Sequence, residues 1–130
     1  MLTDAALVAF AATTDLARSH AFYGHVLGLT HVETTPFANV YTAGGTSLRV
    51  TLVDRVVPAP YTVLGWTVPD VATVMGDLAR RGVCFERYEG LDQDADGVWT
   101  APGGARIAWF RDPDGNVLSL TERRGDAARG

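Results

Sequence analysis

The sequence predicts an α+β fold built from two copies of one β-α-β-β-β unit. Three observations carry this reading. Asp15 and Asp70, each placed to cap a helix, lie 55 positions apart. Gly45 and Gly115, each in a turn that opens a strand, lie 70 apart. After those glycines "TSLRV" and "NVLSL" align, with Leu48 on Leu118 and Arg49 on Ser119. Self-similarity of this kind marks a repeated supersecondary unit. The difference of 15 falls in "EGLDQDADGVWTAPG", an insertion in the second copy. A chain of 130 residues is expected to form one domain, with modules over 5–57 and 61–122 and a flexible tail over 123–130.

Each element has a local reason. "LVAFAA" (7–12) is an apolar run stopped by Thr13-Thr14-Asp15 and reads as a strand. Asp15 then suits a helix N-cap, Leu16, His20, Tyr23 and Leu27 recur at helical spacing, and Gly28 ends the helix. "THVETT", "FANVYTA" and "TSLRVTLVD" are three short strands broken at Pro36 and Gly44-Gly45. "VVPAPY" is a linker, because its prolines cannot join a central ladder. "YTVLGWTV" is the next strand, Pro69-Asp70 opens a helix through Leu78, and Gly82 stops it. "VCFERY", "ARIAWF" and "NVLSL" are the closing strands. In "DPDG" (112–115), Asp at the first position, Pro at the second and Gly at the last make a turn whose carboxylates accept local backbone hydrogen bonds.

Period-two patterning separates the strand faces. One parity is apolar: Leu7, Ala9 and Ala11; Leu48, Val50 and Leu52; Leu64, Trp66 and Val68; Leu118 and Leu120. These are the expected core, under the two helices. The other parity is mixed: Val8, Phe10 and Ala12; Ser47, Arg49 and Thr51; Tyr61, Val63, Gly65 and Thr67; Val117, Ser119 and Thr121. A mixed face on a helix-backed sheet is a candidate concave ligand pocket.

Composition narrows the partners. The net charge of -4 argues against nucleic acid and anionic membrane. No run of 18 apolar residues exists, so no membrane span is expected. The start "MLTDAALVAF" lacks a basic n-region, so no signal peptide is expected. Cys84 is the lone cysteine; it fits a reducing cytoplasm and reads as a core thiol in a buried strand.

The stretches "TTDLARSHAFYGHVLGL", "WTVPDV" and "WFRDPDGNVLSL" together resemble the vicinal oxygen chelate superfamily, which holds glyoxalase I, bleomycin-resistance proteins and extradiol dioxygenases. The resemblance covers 5–122. It implies two βαβββ modules forming a cupped, mostly antiparallel sheet, and a homodimer. Metal-dependent members carry four ligands in the cup. Residue by residue, those positions fall here on Val8, Arg49, Val63 and Ser119. Valine has no donor atom and Arg49 is a permanent cation, so no metal and no other cofactor is expected.

Other constellations are weaker. His20 and His25 lie five apart, off a shared face of an α-helix, and His31 sits on another element, so the three read as unrelated. "DQDADG" opens like a calcium loop, but Gly103 stands where the bidentate Glu belongs, and Asp96-Gly97 reads as a hairpin turn. Arg49 is either a clamp for an anionic group or the partner of Glu33 or another acid across the sheet in a structural ion pair. Tyr41, Trp99 and Trp109 are candidate aromatic walls or ordinary core, and Ser119 offers one hydrogen bond without a His/Asp partner. The function expected is metal-independent binding of a small molecule with a polar or anionic end, in a cup lined by Phe10, Tyr41, Tyr61, Trp99, Trp109, Arg49 and Ser119. The alternative is a lyase, isomerase or ring-cleaving dioxygenase using a divalent metal, or Arg49 in its place.

Overall fold

The computed structural model describes residues 1–123; residues 124–130, nearly all of the expected tail, lie outside them. Contacts divide the chain into two units. The first is Met1–Pro58 with Asp112–Asn116, and the second is Ala59–Arg111 with the chain from Val117 onward. The fold is α+β, with a four-stranded mixed sheet in each unit. Among the described residues, no helix is long and apolar enough to cross a membrane.

The first unit holds β1 (Val8–Thr13), α1 (Leu16–His20), a π-helical stretch (Ala21–Val26), β2 (Thr30–Thr34), β3 (Ala38–Ala43) and β4 (Thr46–Leu52). Its strand order is β1-β4-β3-β2, with β1 parallel to β4 and the other pairs antiparallel. Asp15 caps α1 as expected, its carboxylate accepting from the Arg18 backbone N–H at 3.0 Å. Gly28 leaves the helical segment with φ of 70°, a conformation that costs glycine nothing.

The helix differs from expectation in its second half. Leu27 N–H donates to Phe22 C=O, five residues back, at 2.9 Å. A wider turn stacks residues five apart, which in an α-helix diverge. His25 therefore returns to His20, with ring centroids 5.0 Å apart, and His31 on β2 lies 4.5 Å from the same ring. The three histidines are neighbours, not unrelated. Gly24 makes the room: a Cβ there would stand 2.6 Å from Cε1 of His20.

Beneath this layer lie Leu48, Val50, Tyr23 and Tyr41, all buried. Leu7 and Leu52, expected in the core, are 74% and 42% exposed. Leu7 precedes β1, an edge strand, and Leu52 closes β4, so neither has a full set of neighbours to cover it.

The second unit holds β5 (Thr62–Thr67), α2 (Val71–Arg80), β6 (Trp99–Thr100), β7 (Arg106–Arg111) and β8 (Val117–Glu122), in the order β5-β8-β7-β6. Asp70 caps α2, accepting from Ala72 and Thr73 N–H at 3.0 and 3.3 Å. Val71, Met75 and Leu78 share one helical face and are buried with Ala108, Phe110, Leu118 and Leu120.

Two expectations fail in this unit. "VCFERY" is not a strand: only Phe85 bridges, to Phe110, and Cys84 is exposed. The last ladder position goes instead to β6, inside the segment read as an insertion. Side chains explain the exchange. Gln93 Oε1 accepts from Tyr88 N–H at 2.7 Å, while its Nε2 donates to Glu86 C=O at 3.0 Å and Gly97 C=O at 2.7 Å. Asp94 Oδ1 accepts from the N–H groups of Asp96, Gly97 and Val98. These bonds hold 86–98 as a tight loop and occupy an oxygen that a calcium ion would need.

The segment 112–116 makes two kinds of bond. Asp112 Oδ1 accepts locally, from Asp114 and Asn116 N–H, both at 2.9 Å. Asp114 was expected to do the same but reaches across the first unit. It accepts from the Thr13 hydroxyl at 2.6 Å, Thr14 N–H at 3.0 Å and Arg18 at 2.8 Å. Tyr23 O–H donates to Asp112 Oδ2 at 2.6 Å, and Asn116 Nδ2 to Ala12 C=O at 2.9 Å.

Candidate ligand-binding site

In each unit the helices cover one face of the sheet, and the other, open face carries no helix, though Ala38 and Val40 of β3 are buried on it. The open face of the second sheet follows from the register. Val117 pairs with Arg111 and Thr62, Ser119 with Trp109 and Gly65, and Ile107 with Thr121 and Trp99. Partners opposite one another share a face, so Trp109, Trp99, Arg111 and Ser119 stand together on it. A cleft of about 470 Å³ opens there, lined by Tyr61, Thr62, Tyr88, Trp109, Arg111 and Val117. That size suits a small organic molecule.

The walls are aromatic and the rim is charged. Tyr88 meets Trp109 edge-on at 5.4 Å, and Trp99 lies 6.3 Å from Trp109. Trp109 Nε1–H donates to the Thr62 hydroxyl at 3.2 Å, which fixes the indole plane. Arg111 is ion-paired to Glu86. Burial raises the Tyr88 phenol above its usual range, and the Glu86 charge raises it further, so it stays a neutral donor. The arrangement can stack a flat ring and offer both a cation and hydroxyls to its polar edge.

The expected site residues fall in three places. Trp99, Trp109, Tyr61 and Ser119 belong to the second unit, with Tyr61 and Trp109 lining the cleft itself. Phe10 and Arg49 are register partners on the open face of the first sheet, in one row with Val40 and Glu33. Phe10 is 62% exposed. Among the described residues Arg49 enters no ion pair, so the expected alternative of a bond to Glu33 is not realised. Tyr41 pairs with Leu48 on the covered face and is 0% exposed, against His20. Thr62, Tyr88, Glu86 and Arg111 were not anticipated. Arg111 was within reach of the pattern, two residues past Trp109 on β7. Tyr88 and Glu86 were not, since a loop carries no periodicity.

A family model described as the Glyoxalase/Bleomycin resistance protein/Dioxygenase superfamily matches residues 6–120. The chain belongs to that superfamily. Solved structures agree on the fold. A Sphaerobacter thermophilus member of the superfamily aligns with a TM-score of 0.73 at 24% identity, over 95% of this chain and 100% of that one. A lactoylglutathione lyase from Agrobacterium tumefaciens aligns at 0.71 and 20%, over 93% and 95%. A glyoxalase-related enzyme from Fulvimarina pelagi aligns at 0.71 and 24%, over 95% and 90%. No curated protein matches the chain.

The metal that the resemblance implies does not fit the residues at the four positions carried over from it. Val8 and Val63 carry no donor atom, and Arg49 carries a fixed positive charge. Ser119 would be the lone oxygen donor, and its hydroxyl crowds Gly65: a Cβ on that glycine would stand 2.6 Å away. Val63 is also displaced from the regular alternation, since the ladder shifts between Thr62 and Leu64 and makes it a bulge residue. Among the described residues, no group of three or more His, Cys, Asp or Glu side chains is set to hold a metal ion.

Proposed function

We propose that this superfamily member binds a small, flat, partly apolar molecule with an anionic or polar end, without a metal. The cleft on the second sheet carries the reading: Tyr61, Tyr88 and Trp109 supply apolar walls, and Arg111 beside Glu86 supplies the polar end. Arg49 on the open face of the first sheet is a second candidate anion contact, tested separately. The function we infer is that of a binding protein in the cytoplasm, acting as a homodimer. Exposed apolar side chains on edge strands support the dimer: Val8 and Phe10 on β1, and Val63 on β5. Sedimentation of the purified chain as a monomer at working concentration would remove that part.

The test is a fluorescence titration with 1-anilinonaphthalene-8-sulfonate and a panel of aromatic carboxylates. Binding should quench tryptophan emission, fall at least about tenfold in W109A, and fall severalfold in R111Q. A panel that fails to bind overturns the reading. So does one stoichiometric Zn, Fe, Ni or Mn per chain in elemental analysis, for the metal-free part.

A further inference from the structure

The three histidines of the first unit lie outside the proposed ligand site. Their positions are set by unrelated devices: the π-helical stretch for His25, the open space over Gly24 for His20, and the β2–β3 register for His31, opposite Tyr41. The rings meet around Tyr41, which stacks on His20 at 5.8 Å and tilts against His31 at 5.5 Å.

One bond ties the cluster to the sheet. The Tyr41 hydroxyl and Nδ1 of His20 are 2.8 Å apart. Tyr41 is buried, and burial pushes its phenol up to about 12, so it keeps its proton. That proton needs an acceptor, and Nδ1 supplies the lone pair. This assigns His20 the neutral tautomer with hydrogen on Nε2. The only nitrogen that can take a further proton is then the one the tyrosine uses. A proton from solvent on Nδ1 turns an acceptor into a donor and leaves the buried phenol proton without its partner.

The surroundings oppose that proton as well. The titratable groups facing His20 are His25 on its own helical segment, His31 on β2 and Tyr41 on β3; Tyr23 adjoins Tyr41. Arg18 is turned to Asp114, and the covered-face residues Ala9 and Ala11 of β1 and Leu48 and Val50 of β4 carry no charge. Among the described residues no carboxylate stands in the group to offset a charged imidazole. Desolvation, then His31, then His25 hold His20 below its usual value.

We propose that His20, with His25 and His31, is a proton-operated latch holding the helical segment 16–27 on the sheet of the first unit. Neutral, it is closed through Tyr41. Charged, its Nδ1 can only donate to the Tyr41 oxygen, so the buried phenol proton loses its acceptor; repulsion from its neighbours adds to this, and the segment loosens.

Amide hydrogen exchange, read as protection factors between about pH 7.5 and about pH 5, tests this within the histidine range. Protection of the Leu27 and Leu29 amides, which donate to Phe22 and Tyr23 carbonyls, should fall at least about tenfold more than that of Ala108 and Leu120. The midpoint of the fall should move to higher pH in H31Q, where one repelling charge is gone. H20Q should remove the pH dependence. A fall that persists in H20Q overturns the latch, as does protection that does not change with pH in the native chain. A His20 ring signal that titrates at the ordinary imidazole value overturns it too.

Discussion

Tyr23→Phe removes a single oxygen from the centre of the first unit. Tyr23 is 0% exposed, and its hydroxyl donates to Asp112 Oδ2 at 2.6 Å. Hydrogen bonds to a charged partner contribute about 1.5–3 kcal/mol net. The upper end would apply if Asp112 were left bare, and it is not. Oδ2 keeps Asn116 Nδ2 at 2.8 Å, and Oδ1 keeps two backbone N–H groups at 2.9 Å. The phenylalanine ring occupies the same space, so no cavity adds to the loss. We therefore expect a destabilisation of about 2 kcal/mol, or about 6–8 °C in Tm for a chain of this size. Urea denaturation followed by circular dichroism reads it, with an unchanged slope showing that the unfolded state is unaltered. Thr13→Val removes the bond to the other carboxylate of the same segment, Asp114 Oδ2 at 2.6 Å. The double variant should lose less than the sum, because both bonds hold one rigid turn. A Tyr23→Phe loss below about 0.5 kcal/mol, or strict additivity with Thr13→Val, would refute the reasoning.

Further outcomes are expected. Asp114 is desolvated, its side chain only 3% exposed, but bonds from Thr13 and Thr14 and the Arg18 charge outweigh that and hold its carboxyl below 3.8. A carboxylate held low binds fewer protons folded than unfolded. Its stabilisation is full above the ordinary value and is lost as pH falls below about 4, and D114N should flatten that acid limb of the urea midpoint. Gly65→Ala should turn the Ser119 hydroxyl away and change ligand affinity on the open face at a stability cost under about 1 kcal/mol; adding Ser119→Ala should cancel the effect in a double-mutant cycle. Arg49→Ala should leave stability within about 0.5 kcal/mol, since the guanidinium enters no ion pair among the described residues, and an effect on anion affinity alone would make it a binding residue.

The features legible in the sequence were those that repeat or punctuate. Asp15 and Asp70 cap as their positions implied, and Leu48, Val50, Leu118 and Leu120 point inward as the alternation implied. What escaped depends on departures from period. The π-helical turn rotates His25 by an amount no α-helical spacing predicts. The bulges at Val32 and Val63 shift the alternation by one residue. The loop over 86–98 is set by Gln93 and Asp94 binding backbone, which no hydrophobic pattern encodes. On the site, parity places Ser119, while it leaves Trp109 as either wall or core. Tyr41 is not placed by it, because β3 is buried on both faces and its polarity gives no direction.

The membership of 112–116 in the first unit also bears on how the chain can be divided. The proline-bearing stretch at 56–61 looks like a place to cut. A polypeptide ending at Pro58 would lack Asp112, Asp114 and Asn116. It would strand the Tyr23 hydroxyl, the Thr13 hydroxyl, Thr14 N–H and Ala12 C=O at once. Such a half should not fold alone, yet a short peptide carrying "RDPDGN" supplied in trans has the groups to complete it. Synthesis on the ribosome faces the same order of events: the first half waits for residues that lie within the second.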